Sequence, residues 1–192
     1  MTASEPVAGL VLAGGRGSRL GGIDKGWQRY RGRPLVVQAL QHLSACSPQL
    51  ISANRNLKDY RALGAEVVAD QRADYQGPLA GIESAMLACE APWLYVLPVD
   101  VLGMPADWLA RLQARTAQGN TPWVGTLDGE RLQPLLGLWS RTLLPQLSAF
   151  LDRGERRVMD FIRPWQAAAL ALPAGVHLHN LNTPQAFEQA SD

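Results

Sequence analysis

One stretch near the amino terminus decides the fold: residues 7–25, Val-Ala-Gly-Leu-Val-Leu-Ala-Gly-Gly-Arg-Gly-Ser-Arg-Leu-Gly-Gly-Ile-Asp-Lys. Its first seven residues are apolar or glycine and do not alternate with polar ones, which is typical of a strand buried on both faces of a parallel sheet. The remainder, from Gly14 onward, holds five glycines, two arginines and one lysine. The stretch therefore predicts a buried strand that ends in a glycine-rich loop.

The loop has the composition of a phosphate-binding segment. Glycines let backbone N–H groups approach a polyphosphate closely, and cationic side chains offset its charge. Two well-known phosphate loops do not fit. The Walker A ending Gly-Lys-Ser/Thr is absent, and Leu20 stands where a G-x-G-x-x-G motif needs its last glycine. We therefore expect a phosphate-binding loop that belongs neither to the P-loop NTPases nor to the ordinary dinucleotide-binding fold. On composition alone, a plain glycine-rich turn stays open as the alternative.

Short apolar runs alternate with helix-period segments over the first two thirds of the chain. Further strands are predicted at residues 50–53, 65–69 and 93–97, and helices at 34–43, 57–63, from 78 and 105–118. An antiparallel pair at 122–127 and 131–139 follows, then helices at 143–152 and after 157, a strand at 167–172 and a last helix after 184. The pattern predicts one α/β domain over residues 1–192, a Rossmann-like three-layer α/β/α fold with a mostly parallel twisted sheet and a small antiparallel addition.

Composition excludes several classes of partner. The 192 residues carry a formal net charge of +1, with 47% hydrophobic and 18% charged residues. Binding to nucleic acid or an anionic membrane needs a surplus of Lys and Arg, so neither is expected as a partner. Cys46 and Cys89 form no C-x-x-C pair, and the first residues, MTASEP, lack the basic start of a signal peptide. We therefore expect a soluble, cytoplasmic protein.

Two aspartates follow predicted strands in the same way as the glycine loop. Asp70 comes directly after the strand at 65–69, and Asp100 lies just beyond the strand at 93–97. Sheets of this class bind ligands outside the carboxyl ends of their strands, at a topological switch point. Gly and Asp are also common turn residues, but their shared position favours a common site.

The loop also resembles a known signature. The string L-A-G-G-x-x-x-R-[LM]-G-G-x-D-K, here Leu12 to Lys25, resembles that of nucleotidyltransferases akin to sugar-nucleotide pyrophosphorylases, and most closely the molybdenum cofactor guanylyltransferases (MobA). Later segments resemble further motifs of that family in the same order: Ala53 to Arg55, Ala73 to Gly81, Pro98 to Asp100, Gly154 to Met159 and Asn180 to Pro184. The resemblance covers nearly the whole chain, from about Val7 to Phe187.

The resemblance implies an enzyme that transfers GMP from GTP to Mo-molybdopterin, giving Mo-molybdopterin guanine dinucleotide and pyrophosphate. It also implies transient contact with molybdoenzymes or other molybdopterin-biosynthesis proteins. Two alternatives stay open. One is a cytidylyltransferase acting on molybdopterin or on a sugar or isoprenoid phosphate, because the glycine loop is shared across the superfamily. The other is a non-catalytic nucleotide-binding or carrier protein, against which the retention of Arg19, Lys25 and Asp100 argues.

The resemblance assigns nucleotide binding to residues from several segments of the chain. They are Leu12, Ala13, Gly14, Gly15, Lys25, Ser52, Asn54, Asp70, Gly77, Pro78, Leu79 and Asp100. Ser52 stands where family members often carry an asparagine that contacts the nucleotide. After Asp100 this chain has Val101-Leu102 where the family tends to have Thr-Pro, so a hydroxyl near the metal is missing.

The resemblance assigns catalytic roles to Arg19, Lys25 and Asp100. The two cations would neutralise charge on the α-phosphate and the leaving pyrophosphate. Asp100 would hold Mg²⁺, which proteins usually bind through one or two carboxylates together with substrate phosphates. No general base is needed, because the attacking phosphate oxygen is already ionised at neutral pH.

The pterin substrate is assigned to a further set of residues near the carboxyl terminus: Arg156, Arg157, Asn180 and Asn182. Guanidinium forks suit a phosphate, and amides suit the donors and acceptors of a pterin. The same residues also fit a solvated helix start at 155–157 and a helix cap at 182–184, and this alternative stays open.

Overall fold

The computed structural model describes residues 5–15, 24–74 and 76–181. Its first half contains β1 (Val7–Leu12), β2 (Arg29–Tyr30), β3 (Arg33–Pro34), α1 (Leu35–His42), β4 (Gln49–Ser52), α2 (Leu57–Arg61), β5 (Glu66–Val68) and α3 (Pro78–Ala88). The second half contains β6 (Trp93–Pro98), β7 (Val101–Leu102), α4 (Trp108–Gly119), β8 (Trp123–Asp128), β9 (Arg131–Ser140), α5 (Leu144–Asp152), α6 (Val158–Ile162), β10 (Leu170–Ala171) and β11 (His179–Asn180).

Seven strands form the central sheet, in the order β10-β8-β9-β6-β1-β4-β5. Neighbours pair in parallel, except that β9 runs antiparallel to both β6 and β8. Two small antiparallel pairs, β2 with β3 and β7 with β11, lie beside it. The prediction of a mostly parallel sheet with a small antiparallel addition is confirmed, and the antiparallel pair predicted at 122–127 and 131–139 is β8 with β9.

Helices cover both faces of the sheet because β1 is apolar at every position. Val11 points into one core with Leu35 of α1 and Trp108 of α4. Leu10, its neighbour, points into the other core, with Ile82 of α3 and Phe150 of α5. Successive strand residues face opposite sides of a sheet, so this run of apolar residues fills two cores and gives the predicted three layers.

The order of the strands creates a crevice at one edge of the sheet. From β1 the chain passes through α1 to β4 and through α2 to β5, moving outward on one side. It then returns through α3 to β6, on the other side of β1. The winding reverses between β1 and β6, and such a reversal leaves an open crevice at the carboxyl ends of the strands.

Several elements differ from the sequence-based expectation. The strand predicted at 167–172 is only Leu170–Ala171. The residues before it, Arg163–Ala168, form a 3-10 helix with Pro164 in its first turn. The helix predicted from Pro105 begins at Trp108. The short pairs β2 with β3 and β7 with β11 were not predicted, since two-residue strands have no periodicity. The helix expected after Pro184 lies outside the described residues.

No helix within the described part of the chain is long and apolar enough to cross a membrane.

Candidate active site at the carboxyl ends of the strands

The sequence-predicted nucleotide residues gather where four neighbouring strands end. Leu12 of β1 is flanked in register by Ser52 of β4 and Pro98 of β6. Beyond the strands the backbone continues to pair, with Ala13 N–H donating to the Ser52 carbonyl at 2.9 Å and Val99 N–H to the Leu12 carbonyl at 3.1 Å. The loop starts of β1, β4 and β6 are therefore held side by side, as the sequence predicted for a site at one edge of the sheet.

Gly14 and Gly15 begin the glycine loop, and they differ in what surrounds them. A Cβ atom on Gly14 would lie 3.3 Å from Asn54 Nδ2 and 3.5 Å from Ser52 Oγ. A Cβ atom on Gly15 would meet nothing within 4 Å among the described residues. Gly14 therefore lets the loop pass against the end of β4, whereas a side chain at position 15 would meet none of the described residues.

Ser52 is buried between the loop and helix α3. Its side chain is almost fully covered, and a Cβ atom on Gly81 would come within 2.4 Å of Ser52 Oγ. Gly81 is the residue that lets the first turn of α3 pack directly on the end of β4. The Ser52 hydroxyl therefore lies between Gly14 of the loop and Gly81 of α3.

Asn54 and Asp70 are joined by two hydrogen bonds. Asn54 Nδ2 donates to Asp70 Oδ2 at 2.7 Å, and Asp70 N–H donates to Asn54 Oδ1 at 2.9 Å. Burial raises the pKa of Asp70, although the hydrogen bond from Asn54 acts in the opposite direction. The pair presents a fixed amide and carboxylate at the ends of β4 and β5, which suits the donors and acceptors of a nucleotide base or sugar.

The segment Gly77-Pro78-Leu79 forms the amino terminus of α3. Gly77 has φ +88° and ψ −177°, a conformation that is essentially restricted to glycine. Pro78 occupies the first helical turn, where its missing N–H leaves no donor wasted, and Leu79 is fully buried in the core. Gly77 therefore makes the turn into α3 that other residues would not adopt, and Leu79 anchors the helix in the core.

Lys25 and Asp100 form an ion pair across the switch point. Lys25 lies in a 3-10 turn, Lys25–Trp27, and Asp100 lies two residues beyond β6. Lys25 Nζ is 2.6 Å from Asp100 Oδ2, and both side chains are about one-fifth exposed, at 21% and 19%. Residues 75 positions apart thus place opposite charges together beside the start of the glycine loop.

Asp100 also lies next to one predicted pterin residue. Asn180 pairs with Val101 across β7 and β11, and Leu181 N–H donates to the Asp100 carbonyl at 3.0 Å. No group of three or more His, Cys, Asp or Glu side chains that could hold a metal occurs among the residues that the structure describes. A single carboxylate fits Mg²⁺ only where substrate phosphates and water complete its ligands.

Arg156 and Arg157 occupy the turn before α6. The Arg156 guanidinium donates to Gln76 Oε1, to the Leu151 carbonyl at 2.7 Å and to the Glu155 carbonyl at 2.6 Å. Gln76 precedes Gly77, so Arg156 connects this turn to the loop that leads into α3. Arg157 is exposed, and its carbonyl accepts from Asp160 N–H at 3.1 Å at the start of α6. The two arginines predicted for the second substrate are therefore neighbours in one turn, and the Arg156 guanidinium is already engaged within the protein.

Two predicted site residues, Arg19 and Asn182, lie outside the described residues.

Sequence reasoning missed an ion pair between a partly exposed arginine and a buried glutamate. Arg72 donates through Nε and Nη2 to both oxygens of Glu83, at 2.6 and 2.7 Å, and through Nη1 to Asp152 at 2.8 Å. The Arg72 hydrogen bonds lower the pKa of Glu83, against the effect of burial. The pair ties the segment after Asp70 to α3 and α5. The sign of it in the sequence is Glu83, a charged residue inside a predicted helix. In the structure, all residues of that helix from Leu79 to Met86 are buried.

A second missed residue is Asp24, which precedes Lys25. It is 9% exposed and accepts hydrogen bonds from groups on the same turn and on α2. Its place in the D-K end of the signature was visible in the sequence, but a carboxylate in a glycine-rich loop gives no sign of being buried.

Comparison with known proteins is consistent across methods. Residues 9–169 match the model of the MobA-like NTP transferase domain. A molybdenum cofactor guanylyltransferase of Bordetella petrii is 42% identical over 157 residues, covering 79% of this chain and 80% of that protein. One from Cupriavidus pinatubonensis is 38% identical over 189 residues, covering 95% of each.

Solved structures share the fold at lower identity. Molybdopterin-guanine dinucleotide biosynthesis protein A from Archaeoglobus fulgidus matches with a TM-score of 0.75 and 20% identity, over 96% of each chain. The 2-C-methyl-D-erythritol 4-phosphate cytidylyltransferase of Thermus thermophilus matches with a TM-score of 0.72 and 16% identity, over 97% of each chain. Proteins with different nucleotide substrates therefore share this architecture.

Proposed function

The chain belongs to the family of MobA-like NTP transferase domains, and from this premise we propose that it is a molybdenum cofactor guanylyltransferase. It transfers GMP from GTP to molybdopterin carrying molybdenum and releases pyrophosphate. Its similarity to proteins of that name reaches 38% identity over 95% of both chains. The two substrates are GTP and Mo-molybdopterin.

The observation that best supports this proposal is the ion pair between Lys25 and Asp100. A lysine and an aspartate 2.6 Å apart at the switch point provide one positive and one negative group beside the glycine loop. A nucleotidyltransferase needs both kinds of group: a cation for the triphosphate and a carboxylate for the metal that accompanies it. A protein that only binds and carries a nucleotide has no need to stabilise a leaving pyrophosphate.

The nucleotide would lie across the ends of β1, β4 and β5. Backbone N–H groups from Leu12 to Gly15 would face it, and the glycine loop would hold the β- and γ-phosphates. Asn54 and Asp70 would accept and donate hydrogen bonds at the base or sugar, with Ser52 packed beneath them. The segment Gly77-Pro78-Leu79 would close one side of the pocket, where glycine permits a close approach.

Nucleotidyltransferases of this kind typically use a divalent metal ion, and we assign Mg²⁺ to Asp100. The single carboxylate at the end of β6 fits a hard cation that keeps water and phosphate ligands. When bound, the ion supplies charge neutralisation and orientation for the triphosphate. Lys25 would then be drawn from Asp100 towards the phosphates.

The reaction is an in-line displacement at the α-phosphorus of GTP. A terminal phosphate oxygen of molybdopterin forms a new bond to that phosphorus, and the bond to the bridging oxygen of pyrophosphate breaks. The nucleophile is already ionised, so the protein needs to position it and to balance charge rather than remove a proton. Lys25 and Arg19 would serve this role.

The second substrate would enter from the side of α6 and β11. Asn180, which adjoins Asp100 through β7, would meet the pterin, together with Arg156, Arg157 and Asn182. Displacement of Gln76 from Arg156 would free a guanidinium for the substrate phosphate. Both cysteines are buried thiols, which is compatible with the reducing cytoplasm as the place of action.

A single assay distinguishes the candidate activities. Purified protein is incubated with Mg²⁺, molybdopterin and each of the four NTPs in turn, and pyrophosphate release is measured. We expect release with GTP alone and formation of the guanine dinucleotide. Turnover with CTP and not GTP would identify a cytidylyltransferase instead, and nucleotide binding without pyrophosphate release would identify a carrier.

A further inference from the structure

Asp24 is a buried carboxylate whose two oxygens are bound by different parts of the chain. Oδ1 accepts from the Gly26 N–H at 3.2 Å and from the Tyr60 hydroxyl at 2.6 Å. Oδ2 accepts from Asn56 Nδ2 at 2.8 Å and lies 3.8 Å from Arg55 Nε. A buried carboxylate is stable only when it is hydrogen bonded in this way, so Asp24 joins its own turn to α2 and to the segment that precedes it.

Gly26 and Tyr60 fit each other closely at this point. A Cβ atom on Gly26 would lie 2.3 Å from the Tyr60 hydroxyl oxygen. Only glycine at this position lets the phenol reach Asp24. The Trp27 ring packs on Tyr60 with centroids 5.3 Å apart, and Tyr60 is fully buried. The turn is therefore fixed at Asp24, at Gly26 and at Trp27, each of which contacts Tyr60.

Lys25 lies inside this fixed turn. Its neighbours on both sides, Asp24 and Gly26, are held by Tyr60, while its own side chain leaves the buried cluster and reaches Asp100 at 2.6 Å. A lysine side chain has four rotatable bonds and loses considerable conformational entropy when it is held in one place. Fixing its backbone reduces the range of positions that the ammonium can adopt.

The same cluster reaches the proposed base-binding segment. Arg55 and Asn56, which contact Asp24, follow Asn54 directly, and Asn54 is the residue paired with Asp70. The turn that carries Lys25 and the segment that carries Asn54 therefore share one buried anchor.

We propose that Asp24 and Tyr60 are positioning residues, whose buried hydrogen bond sets the turn that directs Lys25 to the reacting phosphates. The inference rests on the proposed guanylyltransferase function. Neither side chain contacts the place where substrate would lie, so both act through Lys25. Burial and the bond to Asp24 raise the pKa of Tyr60, which keeps its hydroxyl a donor across the working range of pH.

A double-mutant cycle tests the proposal by single-turnover GMP transfer at saturating GTP. Tyr60→Phe removes one hydroxyl and leaves the ring, and we expect the rate to fall about tenfold, the size expected for a buried hydrogen bond to a charged group. In a Lys25→Ala background the same change should alter the rate by less than about twofold, because the residue through which it acts is gone. Equal losses in both backgrounds would assign Tyr60 a general structural role and overturn the proposal.

Tyr95→Phe is the matched control, since Tyr95 is another buried tyrosine and its hydroxyl bonds to Met104 Sδ at 3.6 Å. We expect its rate to stay near that of the unaltered protein, and a tenfold fall there as well would contradict the proposal. Should Tyr60→Phe prove unfolded, Asn56→Gly asks the same question through the other oxygen of Asp24. Asn56 has φ +51°, which glycine adopts readily.

The unaltered protein is assayed first, and this separates the two hypotheses. Absence of GMP transfer in the unaltered protein would refute the proposed function. Normal transfer with an undiminished rate in both Tyr60→Phe and Asn56→Gly would leave the function standing and refute the positioning role alone.

Discussion

Asn54 and Asp70 are joined by two hydrogen bonds of opposite direction. The Asn54 amide donates to the Asp70 carboxylate, and the Asp70 backbone N–H donates to the Asn54 amide oxygen. Neither side chain can rotate without losing a hydrogen bond to the other. The ends of β4 and β5 therefore present a rigid acceptor and a rigid amide to any nucleotide that binds there. Rigid, mutually oriented polar groups favour one base over another, because a mismatched base leaves buried groups unpaired.

Asp70 should make GTP binding sensitive to mild acid. Burial raises the pKa of its carboxyl, so the carboxylate is protonated at a higher pH than an ordinary aspartate would be. If the carboxylate accepts from the nucleotide, GTP affinity falls as the pH falls through the raised pKa. Calorimetric titration with GTP from about pH 7 to about pH 4 measures this. Asp70→Asn should bind GTP more weakly and with less pH dependence, and an unchanged pH profile would remove Asp70 from the binding site.

Asp100→Ala should abolish turnover and leave the fold intact. The side chain is on the surface of the crevice and contributes to no core, so the thermal unfolding midpoint should change little. Loss of the carboxylate that we propose holds the metal should reduce the rate by at least about a hundredfold. Pyrophosphate release over a range of Mg²⁺ concentrations is the measurement, and near-normal activity would mean that the metal is held elsewhere.

Lys25→Ala should slow the chemical step rather than weaken GTP binding. Removing one oriented donor to developing charge typically lowers kcat by about 10² to 10³. Single-turnover rates at saturating GTP report this step. Lys58 is the other lysine of the sequence and is exposed on α2, so Lys58→Ala is a matched control that should retain full activity. Equal rates for the two variants would count against the role of Lys25.

Glu83→Ala should destabilise the protein more than Asp152→Ala, although both remove a partner of Arg72. The Glu83 side chain is 4% exposed and that of Asp152 is 67% exposed. We expect a loss of about 1–3 kcal/mol in the free energy of unfolding for Glu83→Ala, reduced from the fully buried case because Arg72 is partly exposed. The exposed pair should contribute less than about 1 kcal/mol. Urea unfolding of both variants measures the difference.

The pH dependence of this contribution has a definite sign. The pKa of Glu83 is lowered in the folded protein, chiefly by the hydrogen bonds from Arg72. Its stabilisation is therefore present above the ordinary glutamate pKa and is lost as the pH falls through the lowered value. The difference in the free energy of unfolding between the unaltered protein and Glu83→Ala should therefore become smaller in acid. A gap that stays constant there would show that packing, rather than the ion pair, accounts for the effect.

The sequence predicted the parallel half of the fold well, for a physical reason. Strands such as β1 are buried on both faces, so their apolar runs are continuous, and they end at residues such as Gly14 and Asp70 that break the pattern. The segment at 167–172 shows where this fails. Its first two residues end the 3-10 helix Arg163–Ala168, which packs against β8, and only Leu170–Ala171 pair as a strand. Composition alone does not distinguish such a segment from a longer strand.

The candidate site was predicted in part. The glycine loop, Asp70 and Asp100 could be located because each follows a strand, and Asn54 because it lies in a recognisable motif. Asp24, Tyr60, Arg72 and Glu83 could not, because their importance comes from burial and from partners between 11 and 80 positions away. Single-sequence patterns record neither property.

The contact between Lys25 and Asp100 affects how strongly two ligands bind together in the crevice. If a nucleotide engages Lys25 and a magnesium ion engages Asp100, as we propose, each ligand must separate the same ion pair. When both ligands arrive together that cost arises once instead of twice, so each strengthens the binding of the other by the same factor. Magnesium and nucleotide should accordingly bind with positive cooperativity, and the protein should take up the metal–nucleotide complex in preference to either component alone.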